Sequence, residues 1–352
     1  MTDHQLPSSA GETSVRAAEP SDAAAWNEYV FAHPRATFFH RFEWIDVIKK
    51  SFGHRGRSLV AFQGGRIAGV LPLTEVKSLL FGHSLVSNPF CVYGGVLADD
   101  SGAEDVLSRA AVALAESLAV SHLEFRSPEP SSRGWIAKDL YVTFRRSISQ
   151  DHEENLKAIP RKQRAEVRRG IKLGLTSRID TDSSNIYRVY SESLRNLGTP
   201  VFSRKYLDIL MKTFGSDCEV TSILHQSQVV ASVLSFYFRG EALPYYGGGL
   251  RTARGLSAND FMYWDVMQRA VARGCSVFDF GRSKRGTGSY DFKRHWGFEE
   301  APLHYEYYLV RSREMPDLSP MNPKYRLMIE TWKRMPLWCS QLVGPPLARH
   351  LG

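Results

Sequence analysis

The chain is poor in the features that staple, anchor or export a protein. Its four cysteines, Cys91, Cys218, Cys275 and Cys339, lie far apart without CxxC spacing. That argues against a disulfide framework and a zinc site, so a reducing compartment and no metal centre are expected. No run approaches the ~20 apolar residues of a membrane-spanning helix. The opening MTDHQLPSSAGETSVRAAEPSD is polar, has no apolar core region and does not read as a secretory signal, which points to the cytoplasm. Acidic residues are the scarcer charge, 37 Asp and Glu against 45 Lys and Arg. The excess of bases favours an anionic partner and leaves nucleotides, tRNA, acidic glycans and membrane surfaces open. What is plentiful is ordinary globular composition, 43% hydrophobic and 23% charged, over 352 residues. That length suffices for two domains with separate cores.

Periodicity then divides the chain. Residues up to about Ser14 read as a disordered leader. A helix is expected from Asp22 to Phe31, capped by Ser21, and another from Phe42 to Phe52, stopping at Gly53. A hairpin follows, Ser58 to Phe62 and Ile67 to Leu73 about Gly64-Gly65. After a loop from Gly82 to Pro89, Tyr93-Gly94-Gly95-Val96 reads as a strand with close backbone approach. A helix from Gly102 to Leu118 leads to the strand His122 to Arg126. The second half repeats this order: helices Ser184 to Leu197 and Ser203 to Thr213, a hairpin of Val220 to Leu224 and Val229 to Phe238, then Tyr246-Gly247-Gly248-Gly249. A helix from Ala258 to Ala272 capped by Ser257, and the strand Val277 to Phe280, complete it. Tyr93 corresponds to Tyr246 and Glu124 to Asp279. Six elements in one order imply two copies of one α/β unit.

Between the copies, Arg161, Arg164, Arg168 and Lys172 recur at spacings of three and four after Pro160. They form one cationic helix face, either a solvated linker or an anion-binding surface. The densest chemistry lies in Val277 to Phe298, where Gly281, Gly286 and Gly288 alternate with Arg282, Lys284 and Arg285 ahead of the apolar-basic run Tyr290 to Phe298. Glycines let a backbone approach a ligand closely, and the cations suit an anionic one. The counterpart in the first half, Leu123 to Pro128, brings in proline instead, so the active cleft is expected on the second copy. From Asn322-Pro323 the tail reads as a helix through Trp332, broken at Pro336, with Lys324, Arg326, Lys333, Arg334 and Arg349 flanking its apolar face. Packing on the first domain is expected, with a peripheral membrane contact as the alternative.

This order of elements resembles the GNAT acyltransferase fold, and two such units around a basic segment resemble the FemABX family of aminoacyl and peptidyl transferases. The likeness is carried by Arg161-Lys162-Gln163-Arg164 with Arg168, Tyr246-Gly247-Gly248, Asn259 with Trp264, Asp279-Phe280-Gly281, and Phe292-Lys293 with Trp296-Gly297-Phe298. With Asn322-Pro323-Lys324-Tyr325-Arg326 the set is similar to FemAB-like proteins that accompany PEP-CTERM/XrtA exosortase and exopolysaccharide systems. The resemblance implies an α/β fold of tandem GNAT-like domains, each a mixed sheet flanked by helices, plus a C-terminal helix. It also implies N-acyl transfer, in which an amine of a cell-envelope precursor attacks an activated acyl or aminoacyl donor. Lys293 matches the family's functional lysine and takes stabilisation of the oxyanion or donor carbonyl. Asp279 either accepts a proton or orients the loop. Arg161, Arg164 and Arg168 would hold phosphates, with Tyr246, Asn259, Arg282, Lys284 and Gly286 completing the binding set. GNAT enzymes grip the coenzyme A pyrophosphate with Arg/Gln-x-x-Gly-x-Gly/Ala at a helix N-terminus. Here Arg251 to Ala258 is off by one, with Ser257 at the second small position. The donor is therefore a co-substrate, aminoacyl-tRNA or acyl-CoA, with no tightly bound cofactor.

These readings give a leader over 1–14, a first GNAT-like domain over 15–150, a basic linker helix over 151–174, a second domain with the cleft over 175–312, and a helical tail over 313–352. The leading function is an N-acyl or aminoacyl transferase on an envelope or exopolysaccharide precursor, cytoplasmic or peripheral to the inner membrane. Its partners would be an anionic small molecule or glycan precursor, with tRNA open. The alternatives are an acyl-CoA N-acetyltransferase on a nucleotide sugar and a non-catalytic glycan- or membrane-associated adaptor. Oligomeric state is not legible.

Overall fold

The computed structural model describes residues 13–78, 82–315 and 323–350. Most of the expected leader and Asn322 of the tail motif lie outside the described residues, and Ser14 already opens a strand.

Apolar spacing located the helices well. Ala23–Ala32 buries Trp26 and Val30, and Glu43–Phe52 buries Trp44, Val47, Ile48 and Phe52 before Gly53 ends it at φ 74°. The caps were misjudged. Ser21 sits inside a 3₁₀ turn, where the Asp22 carboxylate accepts from the Glu19 backbone instead. Ser257 has φ 55° and donates to Glu166 at 2.5 Å rather than capping Ala258–Ala272.

Among the described residues the strands form three sheets. One runs Ser14–Ala17, Leu59–Gln63, Arg66–Leu71, Leu97–Ala98. The second runs Arg55–Gly56, Thr74–Ser78, Gly82–Val86, His122–Ser127, His304–Leu309, Ile136–Lys138. The largest runs Thr176–Asp180, Cys218–His225, Gln228–Phe238, Glu241–Gly249, Val277–Asp279, Tyr141–Ser147, Ser283–Lys284, with Glu300–Pro302 also on Tyr141–Ser147. The halves therefore exchange strands. Tyr141–Ser147 pairs antiparallel with Val277–Asp279, and His304–Leu309 pairs antiparallel with His122–Ser127. The sheets consequently do not follow a division of the chain at 150 and 312.

Two further expectations fail. Gly82–Val86 is a strand, not a loop, and it is the parallel neighbour of His122–Ser127. Tyr93-Gly94-Gly95 is irregular: Gly94 and Gly95 donate to the Arg126 carbonyl at 3.0 and 2.9 Å. The true counterpart of Glu241–Gly249 is thus Gly82–Val86, since each runs parallel to the last strand of its unit.

One hydrophobic cluster crosses between the halves. Phe38 stacks on Phe236 at 4.4 Å, and Trp44 lies 5.1 Å from Phe214. Burying such aromatics contributes about 2–3 kcal/mol each, so this shared cluster ties the halves together, beside a cluster of the first half about Leu107 and Phe125 and another about Trp264 and Phe278. The linker is likewise part of the second unit. It forms two helices, His152–Ala158 and Arg161–Lys172, and Gly170 of the latter presses on Phe261. The tail also departs from expectation. Helices Pro323–Arg334 and Leu337–Ala348 pack on Ser184–Leu197 of the second half, through Gln341 to Ser191 at 2.8 Å and Arg195 to the Met335 carbonyl at 3.2 Å. Its end reaches the first half, where His54 meets the Arg349 carbonyl at 2.6 Å.

Candidate active site

The site arises where two parallel strands part. Glu241–Gly249 and Val277–Asp279 are in register only at Glu241 with Val277 and Ala242 with Phe278. Beyond that, Tyr245 is an extra residue between the pairs Ser235–Pro244 and Leu234–Tyr246, a bulge that bends the strand away. Pro244 suits this irregularity because it has no N–H to offer a ladder. The gap opens into two adjoining cavities.

One cavity, about 550 Å³, is lined by Gly247, Gly248, Gly249, Arg251, Arg254 and Asn259. Its glycines are required by space. A Cβ on Gly248 would lie 2.6 Å from Ser193 Cβ, and one on Gly249 2.7 Å from Asn259 Oδ1. That Asn259 oxygen is buried with no hydrogen-bond partner, an unsatisfied acceptor of the kind found at ligand sites. Arg251 and Arg254 sit in the 3₁₀ segment Arg251–Leu256 that leads into Ala258–Ala272. The stretch that departs from the coenzyme A signature therefore still stands at a helix N-terminus on the cavity wall.

The second cavity, about 400 Å³, is aromatic, walled by Phe90, Tyr190, Phe202, Tyr245, Tyr246 and Phe280 around Arg282. Arg282 is exposed and opens onto the cavity. It donates to the Tyr305 hydroxyl at 3.3 Å and lies over the Tyr141 ring at 4.7 Å. Its neighbour Arg126 is instead buried and paired with Glu124 at 2.7 Å. At the corresponding point of the first half, Arg126 and the 87–95 loop pack closely together. Arg126 donates to the Cys91 carbonyl at 2.9 Å, and a Cβ on Gly94 would meet Asn88 at 2.6 Å.

Lys293 lines both cavities. It lies on a helix, Gly288–His295, not on the strand-like run that the alternation of aromatics suggested. Thr287 caps this helix, its Oγ accepting from Tyr290 N. Trp296 and Gln163 anchor the far end, each donating to Asp260 Oδ1 at 3.0 Å. Lys293 is 8% exposed, and its Nζ donates to the Gly281 carbonyl at 2.8 Å and the Arg282 carbonyl at 3.2 Å. Burial, with Arg282 adding repulsion and Asp279 opposing, pulls its pKa down to about 7. An ammonium has three N–H groups and a neutral amine two. The two carbonyls occupy two positions in either state, so the third is an N–H when charged and a lone pair when neutral.

The other predicted residues divide. Tyr246 lines the aromatic cavity and shares a hydrogen bond with Tyr206 at 2.9 Å. Asp279 lines neither cavity and is fully buried. It accepts from the Tyr93 hydroxyl, the Thr143 hydroxyl and Gly281 N, each at 2.7 Å. Those three donors tie it to the Gly281 turn. Lys284 and Gly286 line neither cavity, and Arg161, Arg164 and Arg168 lie on the outer face of their helix, away from both. Arg164 instead donates to the Lys157 carbonyl at 3.0 Å. Sequence reasoning missed Tyr190, Phe202 and Phe90, whose spacing reads as ordinary core. Arg251 and Arg254 were visible only as a departure from a motif. Among the described residues no group of three or more His, Cys, Asp or Glu could hold a metal ion.

The splayed parallel strands, the cavity at a helix N-terminus and the doubled unit define a tandem-GNAT architecture. Residues 161–294 match the family described as an acetyltransferase (GNAT) domain, so the second half carries a GNAT-type acyltransferase domain. Solved structures that align over most of the chain include the following three. FemX aligns with TM-score 0.63 and 14% identity over 87% of this chain and 98% of that one. A tandem GNAT protein from the clavulanic acid biosynthesis pathway gives 0.56 and 12%, over 86% and 100%. The L-PGS of Bacillus licheniformis gives 0.52 and 14%, over 93% and 97%. At such identities the likeness establishes the fold. No curated protein matches the sequence. No helix among the described residues is long and apolar enough to cross a membrane.

Proposed function

We propose that this protein is an N-acyl or aminoacyl transferase acting on an amine of a cell-envelope or exopolysaccharide precursor. The observation that carries it is the position of Lys293, half-neutral near pH 7, on the wall common to a polar cavity and an aromatic one. The polar cavity takes the activated donor, with Arg251 and Arg254 on its phosphates and Asn259 on a polar hydrogen. The aromatic cavity takes the acceptor, with tyrosine and phenylalanine faces against its apolar or sugar surface and Arg282 on an anionic group. At the seam, the neutral acceptor amine attacks the acyl carbon, a C–N bond forms, the C–S or C–O bond to the donor breaks, and the proton lost by the amine nitrogen goes to the departing thiolate or alkoxide. The third N–H of charged Lys293 meets the oxyanion as it develops, while Asp279 keeps the Gly281 turn in place. Fixed donors in a cavity with little water are effective at this step.

The resemblance of the motifs and tail to FemAB-like proteins beside PEP-CTERM/XrtA systems supports an exopolysaccharide acceptor. An acyl-CoA N-acetyltransferase acting on a nucleotide sugar is the second reading, favoured by Arg251 and Arg254 at the start of Ala258–Ala272. Titration calorimetry against acyl-CoAs, aminoacyl-tRNA and nucleotide-linked amino sugars tests both. Binding of a donor that is weakened by Arg254→Gln supports the assignment of the polar cavity, and indifference to that change refutes it.

A further inference from the structure

The Leu337–Ala348 helix is turned inside out. Its small residues Ser340, Gly344 and Ala348 face inward, and its large apolar ones face outward, Trp338 and Leu342 each 69% exposed with Val343 beside them. A surface helix ordinarily shows the reverse. The small inward face allows close packing: a Cβ on Gly344 would sit 3.0 Å from Val201 N. Trp338 and Leu342 are one turn apart and so form one stripe. Leu327, 79% exposed, and Met328 are exposed on the preceding helix. Five of the eleven large apolar side chains exposed among the described residues thus fall in this tail, a density that ordinary surfaces lack. The charge around the stripe is mainly positive, with Glu330 on the preceding helix paired to Lys333 at 2.8 Å. From Thr331 to Gly352 the sequence has Lys333, Arg334 and Arg349 and no Asp or Glu.

We propose that this helix docks the protein on an anionic bilayer surface. Trp338, Leu342 and Val343 enter the headgroup boundary, and Lys333, Arg334 and Arg349 meet lipid phosphates, the combination that holds interfacial helices. Charge complementarity selects a bilayer over a second copy of this chain, which would bring the same cations face to face. The helix also borders the aromatic cavity through Ala348. Docking therefore sets the acceptor cavity beside the membrane, a consequence that rests on the acyl-transfer reading, whereas docking itself does not.

The test is flotation of the full-length protein with extruded vesicles, phosphatidylglycerol mixed with phosphatidylcholine in one arm and phosphatidylcholine alone in the other. Co-flotation with the anionic vesicles is expected, and at least tenfold weaker partition with the neutral ones. Trp338→Ser with Leu342→Ser should lower anionic partition at least tenfold with the melting temperature unchanged, and Lys333→Glu with Arg334→Glu should do so by another route. Wild-type protein that stays with the unbound fraction, or variants that float like wild type, would overturn the proposal. So would a dimer in sedimentation velocity that Trp338→Ser with Leu342→Ser converts to monomer, which would assign the face to a second copy. No substrate enters the assay, so its failure leaves the acyl-transfer reading standing.

Discussion

The Tyr93 hydroxyl donates to Asp279 Oδ2 at 2.7 Å, so an aromatic of the first half holds the loop on which the second half's Lys293 rests. The same carboxylate takes Gly281 N, and the Gly281 carbonyl takes Lys293 Nζ. The ammonium's position is thereby set through one turn by a residue in the other repeat. This relay couples the two units at the site.

Tyr93→Phe removes one of the three donors to a fully buried carboxylate. An unmet partner of this kind costs about 1–3 kcal/mol, so urea unfolding should show a loss in that range. Turnover should fall and acceptor KM should rise with it, because the loop that shifts also carries Arg282 on the acceptor wall.

Gly248→Ala places a methyl 2.6 Å from Ser193 Cβ. Overpacking costs about 1–3 kcal/mol, and donor affinity should drop more than acceptor affinity, as calorimetry with each ligand would show.

Much of this was legible before any coordinates. Apolar periodicity located Glu43–Phe52, Ser184–Leu197 and Ala258–Ala272, and the Gly64-Gly65 turn located its hairpin, because local pattern dictates those elements. Lys293, Tyr246, Asn259 and Arg282 stood out by residue type beside glycine or aromatic neighbours. What failed depended on distant pairing. Gly82–Val86 has too little apolar alternation to reveal a strand held by His122–Ser127. The exchange of Tyr141–Ser147 for His304–Leu309 leaves no local mark. Helix formation from Thr287 onward overrode the strand-like alternation of Tyr290 to Phe298. The cationic face of Arg161, Arg164 and Arg168 was read correctly as a face, but the fold turns it away from both cavities.

Arg282→Met removes the charge that faces the aromatic cavity while keeping most of the side chain's bulk. Acceptor KM should rise roughly tenfold or more, in line with the ~1.5–3 kcal/mol of a hydrogen bond to a charged group, with kcat less affected. Steady-state kinetics at saturating donor gives the split.

Lys293 should leave its mark on stability against pH. Its folded pKa, about 7, lies below the ordinary 10.5, so the folded state binds fewer protons between those values. Stability therefore rises with pH from about 7 to about 10.5, and the full penalty for burying the charge is present below about 7. Lys293→Met should remove that slope in urea unfolding compared at pH 6.5 and 9.5.

In the proposed mechanism the working form of Lys293 is the charged one. A plot of kcat/KM against pH should accordingly lose activity as pH rises through about 7, the free-enzyme value. A gain through that range would assign the lone pair as a base to the acceptor amine.

The most direct measurement is the initial rate of N-acyl product formation, followed by mass spectrometry, for wild type and Lys293→Met on the same donor and acceptor pair. Removing a single oxyanion donor typically costs about 100- to 1000-fold in kcat. A loss of that size, with far-ultraviolet circular dichroism and melting retained, is the predicted result. A rate within about threefold of wild type would contradict the account by showing that transfer does not take place at the Lys293 seam.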